Sequence, residues 1–264
     1  ENINLDNNTI RERAYSLLCS YQSKDTPSLE GMEFSRTVQV LNNQQLAFFA
    51  LKDRSLSELG NTPLTDDDFE RLTLSADGSS ASSSSGMSIK LEEGSVADMN
   101  VLIGAEGDRA PLIDFTSLAG ETLDGLARVA READYSASLG FHKVENSSGA
   151  VLDSNGDLIN PGEEGYSKAA LRTDNLLFGG ETFQAHDNQN KTEALEDFVA
   201  SGLWAPYGQV HSTGQTYFSF KEANLDGVDH FRIMGNTTIG FEDFHGGGDR
   251  DFDDQILQLD FRLV

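Results

Sequence analysis

Short segments in which apolar and polar residues alternate recur through the second half of the chain. Such alternation predicts β-strands that bury one face. In the last segment, Leu257, Leu259 and Phe261 fall on the face that we expect to meet the core. Strands this short and frequent indicate a mainly β fold, an antiparallel, jelly-roll-like β-sandwich with a few short helices. The predicted strands are Leu123–Arg131, Ala137–Val144, Leu203–Val210, Thr216–Phe220, His230–Met234, Thr237–Phe241 and Gln255–Val264.

Helical periodicity is confined to short stretches. In residues 9–22 (TIRERAYSLLCSYQ), Thr9 and Glu12 have capping-box spacing and the apolar residues share one face, which predicts an amphipathic helix. We expect this helix to pack on its own domain, and docking on a neighbouring subunit is the alternative. A second helical turn is predicted at Tyr166–Leu171, after Pro161.

Two polar stretches divide the chain. Residues 78–86 (GSSASSSSG) offer nothing to bury and predict a flexible loop or linker. The tract EGDRAP at 106–111 is the best candidate for a domain boundary. We therefore expect an N-terminal β-rich portion at 1–108, with its helix near 9–22, and a sandwich module at 109–264.

The chain is strongly acidic, with 44 acidic against 19 basic residues and a formal charge of −25. This balance argues against nucleic acid and anionic membrane surfaces as partners. No apolar run approaches the roughly 18 residues of a membrane span. Cys19 is the only cysteine, which excludes an intrachain disulfide, and calcium is a common stabiliser of secreted proteins without one. Because the chain begins with Glu1 rather than Met, we expect a processed or trimmed product.

The acidic charge is densest in the C-terminal block, where carboxylates surround three consecutive glycines. Carboxylates this close repel one another unless a cation or several donors lie among them. A two-residue turn at Gly235-Asn236 would set Arg232 opposite Ile239. The same register would place Asp229 beside Glu242. The predicted Ca²⁺ ligands are Asp229, Glu242, Asp243, Asp249, Asp251, Asp253 and Asp254.

Other interpretations of this block remain open. A solvated acidic surface loop is natural in so acidic a chain, and a catalytic carboxylate pair would need a raised pKa. Magnesium is less suited because it demands tighter octahedral geometry. Zinc would need more nitrogen or sulfur ligands than His230 and His245 provide.

A second candidate calcium site lies at Asp153, Asn155 and Asp157. These residues match the first three ligand positions of an EF-hand loop, and Glu164 falls at the twelfth. Leu158, however, stands where that loop needs glycine. A turn closed by Asp and Asn side chains is an equal alternative.

Signals for catalysis are lacking in the sequence. It contains no nucleophile elbow, P-loop, dinucleotide fingerprint or zinc-protease motif, and we expect a protein that is not an enzyme. Trp204, Tyr207 and Tyr217 could form a platform for a sugar ring, but aromatic residues are more often part of the core.

Several C-terminal segments resemble an uncharacterised domain family of bacterial and cyanobacterial secreted and cell-surface proteins. The resemblance covers about residues 112–264, and its most specific segment is GFEDFHGGGDRDFDD. It implies a β-sandwich with an acidic loop of the calcium-binding kind and no enzymatic activity.

Together these features predict a non-enzymatic, calcium-binding extracellular protein, a structural or adhesive building block of a bacterial cell surface or matrix. The alternative is a calcium-dependent, lectin-like module that binds surface glycans. A further alternative is a homo-oligomeric subunit of a self-assembling filament or layer, which would use residues 1–22 or the last strand to pair with a copy of itself.

Overall fold

The computed structural model describes residues 46–51, 69–92, 110–235, 237–250 and 252–264. They fall into two compact units, which divide between residue 92 and residue 110. The predicted boundary between residues 108 and 109 lies outside the described residues and stays a prediction. The helix predicted at 9–22 lies outside them as well.

The described part of the first unit is a single antiparallel sheet. Its strands follow one another in the order β1-β2-β3-β4. They are β1 (Phe48–Leu51), β2 (Phe69–Leu74), β3 (Ser80–Ser82) and β4 (Ser88–Lys90).

Within the serine-rich stretch 78–86, Ser80–Ser82 form β3 and the residues on either side form turns, so the prediction of a flexible loop or linker over the whole stretch is wrong. Ala81 is fully buried between the neighbouring strands. Ser84 and Ser85 donate hydrogen bonds to the Glu70 carboxylate. Main-chain pairing around Ala81 and side-chain hydrogen bonds to Glu70 therefore order this stretch of serines.

The second unit carries most of the predicted strands. Its elements are β5 (Ile113–Asp114), β6 (Thr122–Arg131), β7 (Ala137–Val144), β8 (Val151–Leu152), β9 (Leu158–Ile159), α1 (Tyr166–Ala170), β10 (Gln189–Val199), β11 (Leu203–Val210), β12 (Thr216–Phe218), β13 (Phe231–Ile233), β14 (Thr238–Phe241) and β15 (Gln255–Leu263). Short 3-10 turns occur at Thr116–Leu118, Thr173–Asn175, Leu177–Gly180 and Lys221–Ala223. In the described part of the chain, no helix is long and apolar enough to cross a membrane.

Two antiparallel sheets build this unit. The first has the order β10-β6-β15-β14-β13. In the second, β11 pairs with β7 along its whole length and with β5 and β12 at its two ends. The strands β8 and β9 form a separate hairpin.

The two sheets pack face to face around one apolar core. Leu257 and Leu259 of the first sheet share a buried cluster with Leu139 and Phe141 of the second. The sheets approach so closely that a Cβ on Gly208 of β11 would collide with a ring of β14. A second cluster lies where α1 and β8 cover the second sheet. The mainly β fold class predicted from the sequence is confirmed.

The register between β13 and β14 differs from the predicted one. Arg232 lies opposite Gly240, not Ile239. The main-chain oxygen of Thr237 accepts a hydrogen bond from Leu259 of β15, so Thr237 belongs to the pairing with β15 and the turn before it is longer than two residues. The shift by one residue brings His230, not Asp229, opposite Glu242, whose N–H donates to the His230 oxygen at 2.9 Å. A one-residue slip also exchanges the two faces of a strand.

Candidate metal centre

The connection between β14 and β15, residues 242–254, folds back onto the sheet. Phe252 is buried, and its main chain lies so close to Gly240 that no Cβ would fit there. The Arg232 guanidinium lies 3.9 Å from the centre of the Phe252 ring. This apolar and cation–π packing holds the connection against β13 and β14. The main chain at Phe252, next to Asp253 and Asp254, is therefore held against the sheet.

Asp243 and Asp254 form a pair of interacting carboxyl groups in this connection. The Asp243 side chain is buried, and its N–H donates to Oδ2 of Asp254 at 2.7 Å. Burial, the charge of Asp254 and a hydrogen bond between the two side chains raise the pKa of Asp243 to about 7, although Arg131 acts in the opposite direction. Such a pair holds a shared proton or attracts a cation.

Glu242 is buried beside the glycine run. Its Oε2 accepts a hydrogen bond from the Arg250 N–H at 3.2 Å. Gly248 has a φ of +44°, and a Cβ there would collide with Oε1 of Glu242. The last of the three glycines is thus required both for its backbone conformation and for the space taken by Glu242.

Asp226 also belongs to this end of the sandwich, although the predicted ligand set leaves it out. Its Oδ2 accepts a hydrogen bond from the Gly246 N–H at 2.9 Å and lies 3.0 Å from Nε2 of His230. The other ring nitrogen of His230 is 2.6 Å from the Glu242 main-chain oxygen, and its ring stacks on Tyr217. Burial alone would raise the pKa of Asp226, but the bonds from Gly246 and His230 hold it below its ordinary value.

The other predicted ligands that the structure describes differ in exposure. Asp253 is buried, Asp229 is half-buried ahead of β13, and Asp249 is exposed. Asp251 lies outside the described residues. Among the residues that are described, no three or more His, Cys, Asp or Glu side chains are grouped so that they could hold a metal ion. The described geometry therefore offers a carboxyl pair, buried at Asp243 and half-buried at Asp254, and not a finished cage.

The second candidate site has the geometry of a turn closed by an aspartate. Oδ1 of Asp153 accepts the N–H groups of Asn155 at 2.8 Å and Asp157 at 2.9 Å, within the hairpin of β8 and β9. These bonds, the one from Asp157 first, lower the pKa of Asp153. Both oxygens of the Asp153 carboxylate thus accept hydrogen bonds from the turn itself, as the alternative interpretation expects.

The aromatic residues considered as a sugar platform lie in the core. Trp204, Tyr207 and Tyr217 are all buried. The Trp204 indole N–H donates to the Ser201 main-chain oxygen, and the Tyr217 hydroxyl donates to Gln215. These rings offer no face to a ligand.

The fold and this site together define an antiparallel β-sandwich with the carboxyl pair of Asp243 and Asp254 at one end. Residues 176–262 match a family model described as a domain of unknown function (DUF4114). The match covers the acidic connection, but its description gives neither an origin nor a function. No curated protein and no solved structure is significantly similar to the chain.

Proposed function

We propose that this protein is a calcium-stabilised structural or adhesive module that acts outside the cell without catalysing a reaction. The observation that supports calcium most directly is the contact between the buried carboxyl group of Asp243 and the half-buried one of Asp254. At neutral pH their mutual repulsion disfavours the ionised pair. A divalent cation would remove that cost.

The chemistry of the site favours calcium over other metals. Carboxylate and main-chain oxygens are the ligands that Ca²⁺ prefers, and it takes about six to eight of them in flexible geometry. Asp243 and Asp254 would supply the first ligands. Asp251, Asp253 and main-chain carbonyls of the connection would complete the set once the ion draws them together.

The extracellular role rests on composition and resemblance. A charge of −25 suits a medium in which salt and divalent cations screen self-repulsion. A calcium ion between β14 and β15 would fasten the ends of two central strands, which suits a load-bearing surface module. Glycan binding keeps less support, because the rings considered for it are buried.

Thermal unfolding in EGTA and in calcium tests the proposal. Ligand linkage predicts that calcium at a hundredfold excess over its Kd raises the free energy of unfolding by about 2.7 kcal/mol. For a domain of this size the melting temperature should rise by roughly 5–10 °C. Magnesium at the same concentration should raise it much less. An identical melt in EGTA and calcium, or metal analysis that finds no bound calcium, would contradict the proposal.

A further inference from the structure

An exposed aromatic pair lies beside the acidic connection. Phe244 follows the buried Asp243, and 51% of its surface is exposed. Its ring stacks on Tyr135, with ring centres 6.0 Å apart and planes inclined by 11°. Tyr135 thus backs the Phe244 ring, while about half of Phe244 faces solvent.

Both rings stand on a fixed main chain. The main-chain oxygen of Tyr135 accepts hydrogen bonds from the buried Arg131 guanidinium, one of them at 2.9 Å. The Phe244 oxygen accepts the Gly247 N–H at 2.9 Å, which closes a turn. The residue before Phe244 is held by Asp254. A large apolar ring held rigidly in water is a feature of binding surfaces, because little entropy is lost when a partner covers it.

The surroundings of the pair are predominantly negative. Asp134 is exposed next to Tyr135, and its charge helps to raise the pKa of Asp243. Asp249 is exposed in the same connection. Arg131 is buried and bonded to main-chain oxygens, and the exposed Arg250, the connection's one basic residue apart from its histidine, has its side chain beside Gly247. The patch should therefore attract cationic groups.

We infer that Phe244, Tyr135 and Asp134 form a docking site for an arginine side chain of a partner protein. A guanidinium is planar, stacks on an aromatic face and donates to carboxylates at its edge. Anionic ligands would be repelled by the same carboxylates, and neutral ones would leave them without a charged partner. The site does not rest on the calcium proposal, since neither ring is a metal ligand.

NMR titration with N-acetyl-arginine amide, in EGTA, tests this site. The neutral isostere N-acetyl-citrulline amide serves as the comparison ligand. We expect arginine-induced shifts at Phe244 and Tyr135 and much weaker shifts with citrulline. Replacing Phe244 by Leu keeps an apolar side chain but removes the ring, and it should weaken arginine binding about fivefold. Asp134→Asn should weaken it as well.

Val199→Ala is the matched control, because Val199 is an exposed apolar residue of β10 that lies opposite Thr122, at the end of β6 far from Arg131. This variant should bind arginine amide like the wild type. Equal shifts with citrulline, or arginine binding that survives Phe244→Leu unchanged, would overturn the site and leave only general attraction to an acidic protein. The calcium-dependent melt is a separate measurement, so either idea can fail alone.

Discussion

Two loops of this protein are rich in acidic residues, the hairpin of β8 and β9 and the connection of β14 and β15. Their carboxylates lie in different surroundings. In the hairpin of β8 and β9, Asp153 accepts hydrogen bonds from its own neighbours at the surface. In the connection of β14 and β15, Asp243 is buried against a second carboxyl group. A carboxylate satisfied by local N–H groups needs nothing more, whereas a buried pair needs a proton or a cation. Although the two loops are similar in composition, we therefore expect only the connection of β14 and β15 to depend on a bound metal for its stability.

Glycine substitutions should give the largest contrast between the two loops. Gly248 and Gly156 both have positive φ, at +44° and +86°. A Cβ on Gly156 meets nothing within 4 Å, while one on Gly248 collides with the buried Glu242. Gly156→Ala should cost about 1 kcal/mol of unfolding free energy and Gly248→Ala about 3 kcal/mol, measured by urea denaturation.

Asparagine at the same positions separates backbone strain from collision. Asn tolerates positive φ better than Ala, so Gly156→Asn should be nearly neutral. Gly248→Asn should remain strongly destabilising, because the collision with Glu242 persists. Equal losses at the two glycines would mean that the connection of β14 and β15 is no more tightly packed than the surface hairpin.

The sequence predicts much of this fold because the inner strands bury one or both faces. Ala137–Val144 and Leu203–Val210 have the predicted bounds, since their apolar residues leave little choice of face. The edge strand Gln189–Val199 was missed because it is polar and mostly exposed, with Leu195 as its one fully buried side chain. A polar edge strand such as β10 is held mainly by main-chain hydrogen bonds to β6, and these leave no alternation of apolar and polar residues in the sequence.

The candidate site was harder to predict because it depends on register. The run of glycines and carboxylates indicates a site in this connection. The pairing of Asp229 with Glu242, however, depends on a two-residue turn between β13 and β14. The Thr237 carbonyl is used by β15, which shifts the pairing and brings His230 opposite Glu242. Asp226 reaches the site through Gly246 and His230, and no spacing in the sequence indicates those contacts.

One substitution in each loop tests which of the two loops makes the free energy of unfolding depend on calcium. With the wild type, we expect calcium to raise the unfolding free energy by about 2.7 kcal/mol at hundredfold excess. Asp254→Asn should lose most of that increase, because it removes one carboxylate of the buried pair. Asp153→Asn should keep it in full. Differential scanning calorimetry in EGTA and calcium measures both, and a calcium response lost with Asp153→Asn would move the site to the other hairpin.

The pH dependence of stability in EGTA should have opposite signs in the two loops. The pKa of Asp243 is raised from 3.8 to about 7, so the unfolded chain releases this proton first. From about pH 4 to 7 the wild type should therefore lose stability relative to Asp243→Asn, with no further loss above 7. The pKa of Asp153 is lowered from 3.8, so its stabilisation is present above about pH 4 and disappears as the pH falls further.

Melting temperatures of the wild type and the two variants, Asp243→Asn and Asp153→Asn, between pH 3 and 8 measure these effects without any metal. The Asp243 difference should grow from about pH 4 to 7 and then level off, whereas the Asp153 difference should be flat above about pH 4 and shrink only in acid. Added calcium should abolish the Asp243 trend, because a bound cation replaces the proton between the carboxyl groups. A flat Asp243 difference in EGTA would mean that its carboxyl group ionises normally. The buried pair would then have no need of a cation, and the contrast between the two loops would disappear.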